Sequence, residues 1–337
     1  IAHMIVAEMA RGNGLISATD LANYQAIERD AVGGSYRDYT IASMPPPSSG
    51  GVHLVQMLNM LEGYDLAAMG HNSAAYIHHL VEAMRRAYAD RSEYLGDPDY
   101  VDVPVGMLTD KAYAQVLRDG IAADRASTSA SIAPGAELPQ ESPQTTHYSV
   151  WDQQGNVVSN TYTLNFSYGS GIAVSGAGFL LNNEMDDFSA KPGVPNAYGL
   201  VGAEANAIAA GKRPLSSMSP TILFRDGKPL LATGSPGGST IITVVLQTML
   251  NVIEFDMNIA EATAAPRIHH QWLPDVVMLE DGISADTRNL LQGMGHTLVE
   301  SRRVLGRGQS IMAGPGVYYG VSDYRWTGGA AAAAEAQ

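Results

Sequence analysis

The sequence predicts an α+β protein in which two packed β-sheets lie between helical layers, a four-layer αββα sandwich. Three features point there: a helix-rich first third (residues 1–125), an abrupt shift to Ser, Ala, Pro and Thr from Ala126 to Gln144, and strand patterns that start immediately afterwards and enclose one strongly apolar helix. At 337 residues, 45% hydrophobic and 16% charged, the chain can bury a substantial core.

Taken in order, Ser17 to Asp20 reads as an N-cap with an acidic first turn, leading into Leu21 and Tyr24. Met44-Pro45-Pro46-Pro47-Ser48-Ser49-Gly50-Gly51 is a rigid loop that opens a helix with Val55, Leu58, Met60 and Leu61 on its apolar face. A longer helix runs from about Ser73 to Tyr94 and carries His78-His79 and Arg85-Arg86. From Ala126 to Gln144 no apolar periodicity remains, so this stretch reads as an exposed, cleavable linker. Thr146 to Trp151 and Asn156 to Thr163 flank Gln153-Gln154-Gly155 as a hairpin. A second hairpin joins Thr221–Phe224 to Leu230–Thr233 through Asp226-Gly227. Ile241 to Ile253 is apolar on nearly every face, as a helix buried on most sides would be. Short helices around Ala260 and from Asp286 to Met294, with strands near Thr297 and Val317, complete the pattern.

Composition narrows the function. With 20 basic against 34 acidic residues the net charge is −14, which repels phosphate backbones and anionic lipid, so no nucleic-acid partner is expected. No cysteine is present, which removes disulfides, thiolate metal sites and a Cys nucleophile. No stretch approaches the roughly 18 apolar residues of a membrane span. The chain opens within a helical pattern, and upstream sequence carrying any export signal is expected.

Chemistry concentrates at Pro143-Gln144-Thr145-Thr146-His147-Tyr148-Ser149-Val150, where the linker meets a strand that starts with a hydroxyl residue. A cut between Gln144 and Thr145 would give Thr145 a free α-amine, of reference pKa about 7.7–8.0, beside its own hydroxyl. One residue would then supply both nucleophile and base. A threonine is also ordinary at the start of a strand. Alternation places His147 on the same face as Thr145, which makes it the competing base.

These segments resemble gamma-glutamyltranspeptidase over nearly the whole chain. Besides Met44–Gly51 and Thr145–Val150, the likeness is carried by Ala87-Tyr88-Ala89-Asp90-Arg91-Ser92-Glu93-Tyr94-Leu95-Gly96-Asp97-Pro98, Thr161–Asn165, Leu181–Phe188, Arg213–Pro220 and Gly234–Gly238. The resemblance implies an N-terminal-nucleophile hydrolase fold. Residues 1–144 would form the end of a large subunit, with the linker at about 126–144, and residues 145–337 a small subunit. It implies Thr145 as nucleophile, Thr163 as the hydroxyl that orients it, and Gly237 and Gly238 as the oxyanion hole. Asn165, Glu184 and Asp187 match groups around a substrate α-ammonium and α-carboxylate, and Ser216 and Ser217 match donors to the α-carboxylate. Tyr198, within the loop Lys191–Asn206, matches the gate of a lid.

Independently of any likeness, paired carboxylates suit a cation, and two glycines before a helix suit an oxyanion. The same residues also read as an acidic turn, an ST-turn and a strand-to-helix turn. The family's carboxylate-binding arginine lies upstream of this chain, so the clamp is expected to be incomplete here. The expected activity is γ-glutamyl transfer to amino acids or peptides, or hydrolysis, on glutathione-like compounds, in the periplasm or outside the cell. A glutaryl or cephalosporin acylase, a poly-γ-glutamate processing enzyme and a non-catalytic homologue are the alternatives. No cofactor is implied. His78-His79 and His269-His270 lack the spacing of metal ligands, and no metal is expected.

Overall fold

The computed structural model describes residues 1–132, 145–189, 191–194, 202–301 and 304–333. The helices are α1 (Ala2–Gly12), α2 (Ala18–Asn23), α3 (Gly50–Leu61), α4 (Leu66–Met69), α5 (Ala74–Tyr94), α6 (Val105–Leu108), α7 (Lys111–Asp119), α8 (Thr240–Phe255), α9 (Ile259–Ala264) and α10 (Ala285–Gly293). The strands are β1 (Val32–Tyr36), β2 (Tyr39–Ser43), β3 (Thr146–Trp151), β4 (Val157–Tyr162), β5 (Thr221–Arg225), β6 (Lys228–Gly234), β7 (Ile268–His269), β8 (Val277–Leu279), β9 (Leu298–Glu300), β10 (Gln309–Gly314) and β11 (Val317–Ser322).

Local chemistry accounts for many of these boundaries. Ser17 and Asp20 form a reciprocal capping box at α2. The Ser73 hydroxyl accepts from the Tyr76 amide and starts α5. Asp226 and Gly227 both take positive φ, 51° and 72°, as the two-residue turn between β5 and β6 requires.

The main sheet has the order β1-β2-β5-β6-β10-β11. Leu223 and Leu231 from its centre join Leu54, Met57 and Leu58 of α3 and Ile242, Leu246 and Met249 of α8 in one core, with α5 buried among them. The hairpin β3–β4 packs on the other side. The Ser159 hydroxyl donates to the Thr233 carbonyl at 3.0 Å and accepts from the Thr221 amide at 3.1 Å. The opposite face of this hairpin presents Tyr148, Val150, Val158 and Tyr162, each about half exposed (47%, 50%, 49% and 56%). A small third sheet, β7-β8-β9, adjoins α10.

Two expectations change. The first third contains the hairpin β1–β2, which pairs with β5. Gly33 and Gly34 hid its alternation, and Gly34 is required because a Cβ there would stand 2.6 Å from Val55 of α3. The first part of the expected linker, Ala126 to Ile132, is held against the body of the protein. The Ala126 amide donates to the Met294 carbonyl, and Ser129, 1% exposed, donates from its amide to Asp275 at 2.7 Å. Residues 133–144, including Gln144, lie outside the described residues.

Candidate active site

Register builds the first part of the site. β3 and β4 pair Thr146 with Tyr162, so the next pair out is Thr145 opposite Thr163 on the inward face. The Thr145 hydroxyl donates to the Thr163 hydroxyl at 3.3 Å, and the latter also accepts from the Asn165 amide at 2.8 Å. Thr163 thus fixes where the Thr145 oxygen stands.

The chain turns sharply after this pair. Asn165 has φ 70° and is buried. Its side-chain amide donates to the Asn183 carbonyl at 3.2 Å, and the Asn183 side chain accepts from the Phe166 amide at 3.0 Å. This clasp brings the 3₁₀ turn Glu184–Asp187 to the cavity that Thr145 lines. Burial raises the Asp187 carboxyl well above the usual carboxylate range, and the adjacent Glu184, as a charge and a hydrogen-bond partner, raises it further. Burial raises Glu184 too. Two acids held this close favour a shared proton over a second negative charge, and a neighbouring cation opposes that preference.

Ser216 and Ser217 are held by the proline-rich loop. The Ser216 carbonyl accepts from the Ser49 amide and the Ser49 hydroxyl, both at 2.8 Å, and the Ser216 amide donates to the Pro47 carbonyl at 2.9 Å. The Ser216 hydroxyl accepts from the Met218 amide at 3.0 Å, so the ST-turn is real and leaves the hydroxyl proton available for donation. Ser48 to Gly51 is therefore a brace for the serine loop. The residue missed in the sequence is Arg91. It sits near the end of α5, 4% exposed, with its guanidinium donating to Ser49 Oγ at 2.9 Å and to Ser217 Oγ at 3.2 Å. An arginine therefore stands on this side of the site within the chain itself, where none was expected. The signal was a helix whose basic residues, Arg85, Arg86 and Arg91, are all buried.

Gly237 and Gly238 take φ 142° and 57°, conformations that L side chains rarely adopt, and a Cβ on Gly237 would lie 2.4 Å from Thr240 Oγ1. The Gly237 carbonyl accepts from the Thr240 amide and hydroxyl, which points this turn at the start of α8. Thr145, Thr163, Asn165, Asp187, Ser216, Ser217, Gly238 and Arg91 all line one cavity of about 30 Å³. Glu184 and Gly237 do not line it, although each neighbours a residue that does. Tyr198 lies outside the described residues. A second cavity, about 350 Å³, runs along Thr145 to Ser149 on the side of Arg307 and Trp326.

The competing base is elsewhere. The His147 ring bonds to Thr161 Oγ1 at 2.8 Å and to Ser149 Oγ at 3.2 Å, packs on Gly234, and is pushed down to about 3 by burial. Among the described residues, His78, Glu82 and His296 bring possible ligand atoms within 4.8 Å of one another. Glu82 there is already engaged by Arg86 at 2.6 Å and Arg85 at 3.4 Å, so a metal would meet two guanidiniums.

A family model for gamma-glutamyltranspeptidase matches residues 1–333. The glutathione hydrolase proenzyme of Escherichia coli (strain K12) is 56% identical over 96% of this chain and 56% of its own length. The acylase ACY 1 proenzyme of Pseudomonas sp. (strain V22) is 41% identical over 95% of this chain and 55% of its own. The chain thus spans about half the length of the curated relatives it matches. Among solved structures, a variant of Helicobacter pylori gamma-glutamyltranspeptidase is 57% identical, with a TM-score of 0.53 over 54% of this chain and all of that one. Cephalosporin acylase from Bacillus halodurans is 26% identical, with a TM-score of 0.81 over 96% of this chain and 56% of that one. These likenesses show the N-terminal-nucleophile hydrolase fold. On a match that runs from residue 1 to residue 333, the chain belongs to the gamma-glutamyltranspeptidase family.

Proposed function

We propose that this chain carries the nucleophile-bearing part of a γ-glutamyl transferase and hydrolase that matures by cutting itself between Gln144 and Thr145. The observation that supports this best is the Thr145–Thr163 pair at 3.3 Å, facing one cavity with Asp187, Ser217 and Gly238.

In maturation, the Thr145 oxygen attacks the carbonyl carbon of Gln144, the acyl group passes from nitrogen to oxygen and so frees the α-amine, and water then cleaves the ester to leave a Gln144 carboxylate and the Thr145 hydroxyl. In turnover, that amine takes the hydroxyl proton as Oγ1 attacks the γ-carbonyl of a glutathione-like substrate. The oxyanion is met by backbone N–H groups at Gly237 and Gly238, aided by the start of α8. The ammonium then protonates the leaving amine. Water, or the amine of an amino acid or peptide, releases the γ-glutamyl group and restores the threonine. Asn165, Glu184 and Asp187 hold the substrate's α-ammonium, and Ser216 and Ser217 donate to its α-carboxylate. No step needs a cofactor.

Relatives named glutathione hydrolase support a γ-glutamyl substrate, and the acid pair, which has no use on a glutaryl group, supports it over the acylase reading. Two subunits from one precursor fit the proenzyme names, and a place in the periplasm or outside the cell is what the family resemblance implies. No described helix is long and apolar enough to cross a membrane.

The test is mass spectrometry and turnover of the full-length protein. Wild type should appear as two pieces, the second starting at Thr145, and Thr145→Ala as one inactive chain. Normal turnover by the alanine variant would refute the nucleophile, and a preference for glutaryl over γ-glutamyl amides would favour the acylase.

A further inference from the structure

We propose that Arg91 is a positioning residue for recognition of the substrate α-carboxylate, acting through Ser217; this rests on the γ-glutamyl reading above. A serine oxygen that accepts a hydrogen bond from a guanidinium must send its own proton elsewhere. Arg91 Nη2 donates to Ser217 Oγ at 3.2 Å, so the Ser217 O–H is left to donate to an acceptor other than Arg91, and both residues line the cavity that holds Thr145. The same guanidinium fixes the other serine. Arg91 Nε donates to Ser49 Oγ at 2.9 Å, and that hydroxyl donates to the Ser216 carbonyl at 2.8 Å.

A single buried cation thus aligns two neutral donors and supplies positive charge behind them, as an incoming carboxylate requires. It also fixes the sense of the substrate. Asp187, whose acidity Arg91 favours, takes the ammonium on one side, and the arginine-backed serines take the carboxylate on the other. This arginine belongs to α5 and is separate from any that the rest of a longer precursor brings.

The measurement is discrimination by the matured full-length enzyme. The γ-glutamyl p-nitroanilide is compared with the 4-aminobutanoyl p-nitroanilide, which keeps the amine and lacks only the α-carboxylate. In wild type the ratio of kcat/KM favours the first. Arg91→Gln should lower that ratio about 10- to 100-fold, mainly through KM of the γ-glutamyl substrate. Arg91→Lys should retain part of the preference, since it keeps charge without the two-pronged geometry. Ser217→Ala should lower the ratio similarly, and the double variant should lose little more than either single one. Should Arg91→Gln fail to mature, Arg91→Lys and Ser217→Ala carry the comparison, and the lysine variant must then fall between wild type and Ser217→Ala.

Equal losses on both substrates, or full additivity with Ser217→Ala, would overturn the assignment while leaving the γ-glutamyl reading intact. A wild type that prefers the glutaryl p-nitroanilide would instead overturn both.

Discussion

Glu184 and Asp187 show how one residue pair can couple binding to pH. Burial raises both carboxyls, and the adjacent Glu184 raises Asp187 further, so a bound α-ammonium should favour the ionised pair and displace protons from it. The sign follows directly. As pH falls, protonation of the pair competes with the cation, so KM for an amine-bearing substrate should rise while KM for a glutaryl amide stays flat. Calorimetry in buffers of different ionisation enthalpy should register proton release on binding of L-glutamate, and Asp187→Asn should abolish the release and raise KM. Binding without proton release would show that the pair is ionised before the ligand arrives. His147 permits a sharper test. Its imidazole, at about 3, remains neutral through the range in which a terminal amine titrates. His147→Asn should therefore leave the acidic limb of kcat/KM in place in matured protein. A limb that disappears, with kcat down by about 10²–10⁴, would make the histidine the base.

At the scale of elements, α5 is unusual in burying its charges. Glu82 meets Arg86 at 2.6 Å and Arg85 at 3.4 Å, and accepts from the Ser127 amide at 3.0 Å. Burial opposes its ionisation, but the hydrogen bond from Ser127 and the two guanidiniums outweigh it and hold the carboxyl down at about 2. Since the folded value lies below the unfolded one, the stabilisation is present above about pH 4.5 and is lost as pH falls through the folded value. Glu82→Ala removes the carboxylate paired with Arg86 and one of the two that face Arg85, and should cost about 3–5 kcal/mol in urea unfolding at neutral pH. A loss below about 1 kcal/mol would mean that Asp275 alone neutralises both arginines. The same helix presents Arg91 to the site.

At the scale of the whole molecule, the two sides of the expected cut share one core. β2 pairs with β5 from Tyr39↔Arg225 to Ser43↔Thr221, and α3 packs against α8 in a single apolar cluster that also takes in α5. Cleavage before Thr145 should therefore give two pieces that co-elute in native size-exclusion chromatography and separate only in denaturant. Pieces that part on their own would contradict the shared sheet. The hairpin face exposes Tyr148, Val150, Val158 and Tyr162 to about half their surface. A chain limited to these residues should bind a hydrophobic dye there, and Val150→Lys with Tyr162→Lys should reduce that signal without unfolding the protein.

The sequence by itself determined what acts over a few residues. The β3–β4 hairpin with Thr145 at its head, the Asp226-Gly227 turn, the caps of α2 and α5 and the glycine pair before α8 all follow from local periodicity, turn chemistry and allowed φ. It also carried the candidate catalytic set, because the motifs resembling the family are contiguous. Only the tertiary structure decided what those residues stand against. Arg91 reaches Ser217 across 126 positions and Ser49 reaches Ser216 across 167, while β1–β2 joins a sheet formed mostly by the second half. Such contacts leave no periodic trace, because a buried donor selects whatever acceptor the packed chain brings within about 3 Å.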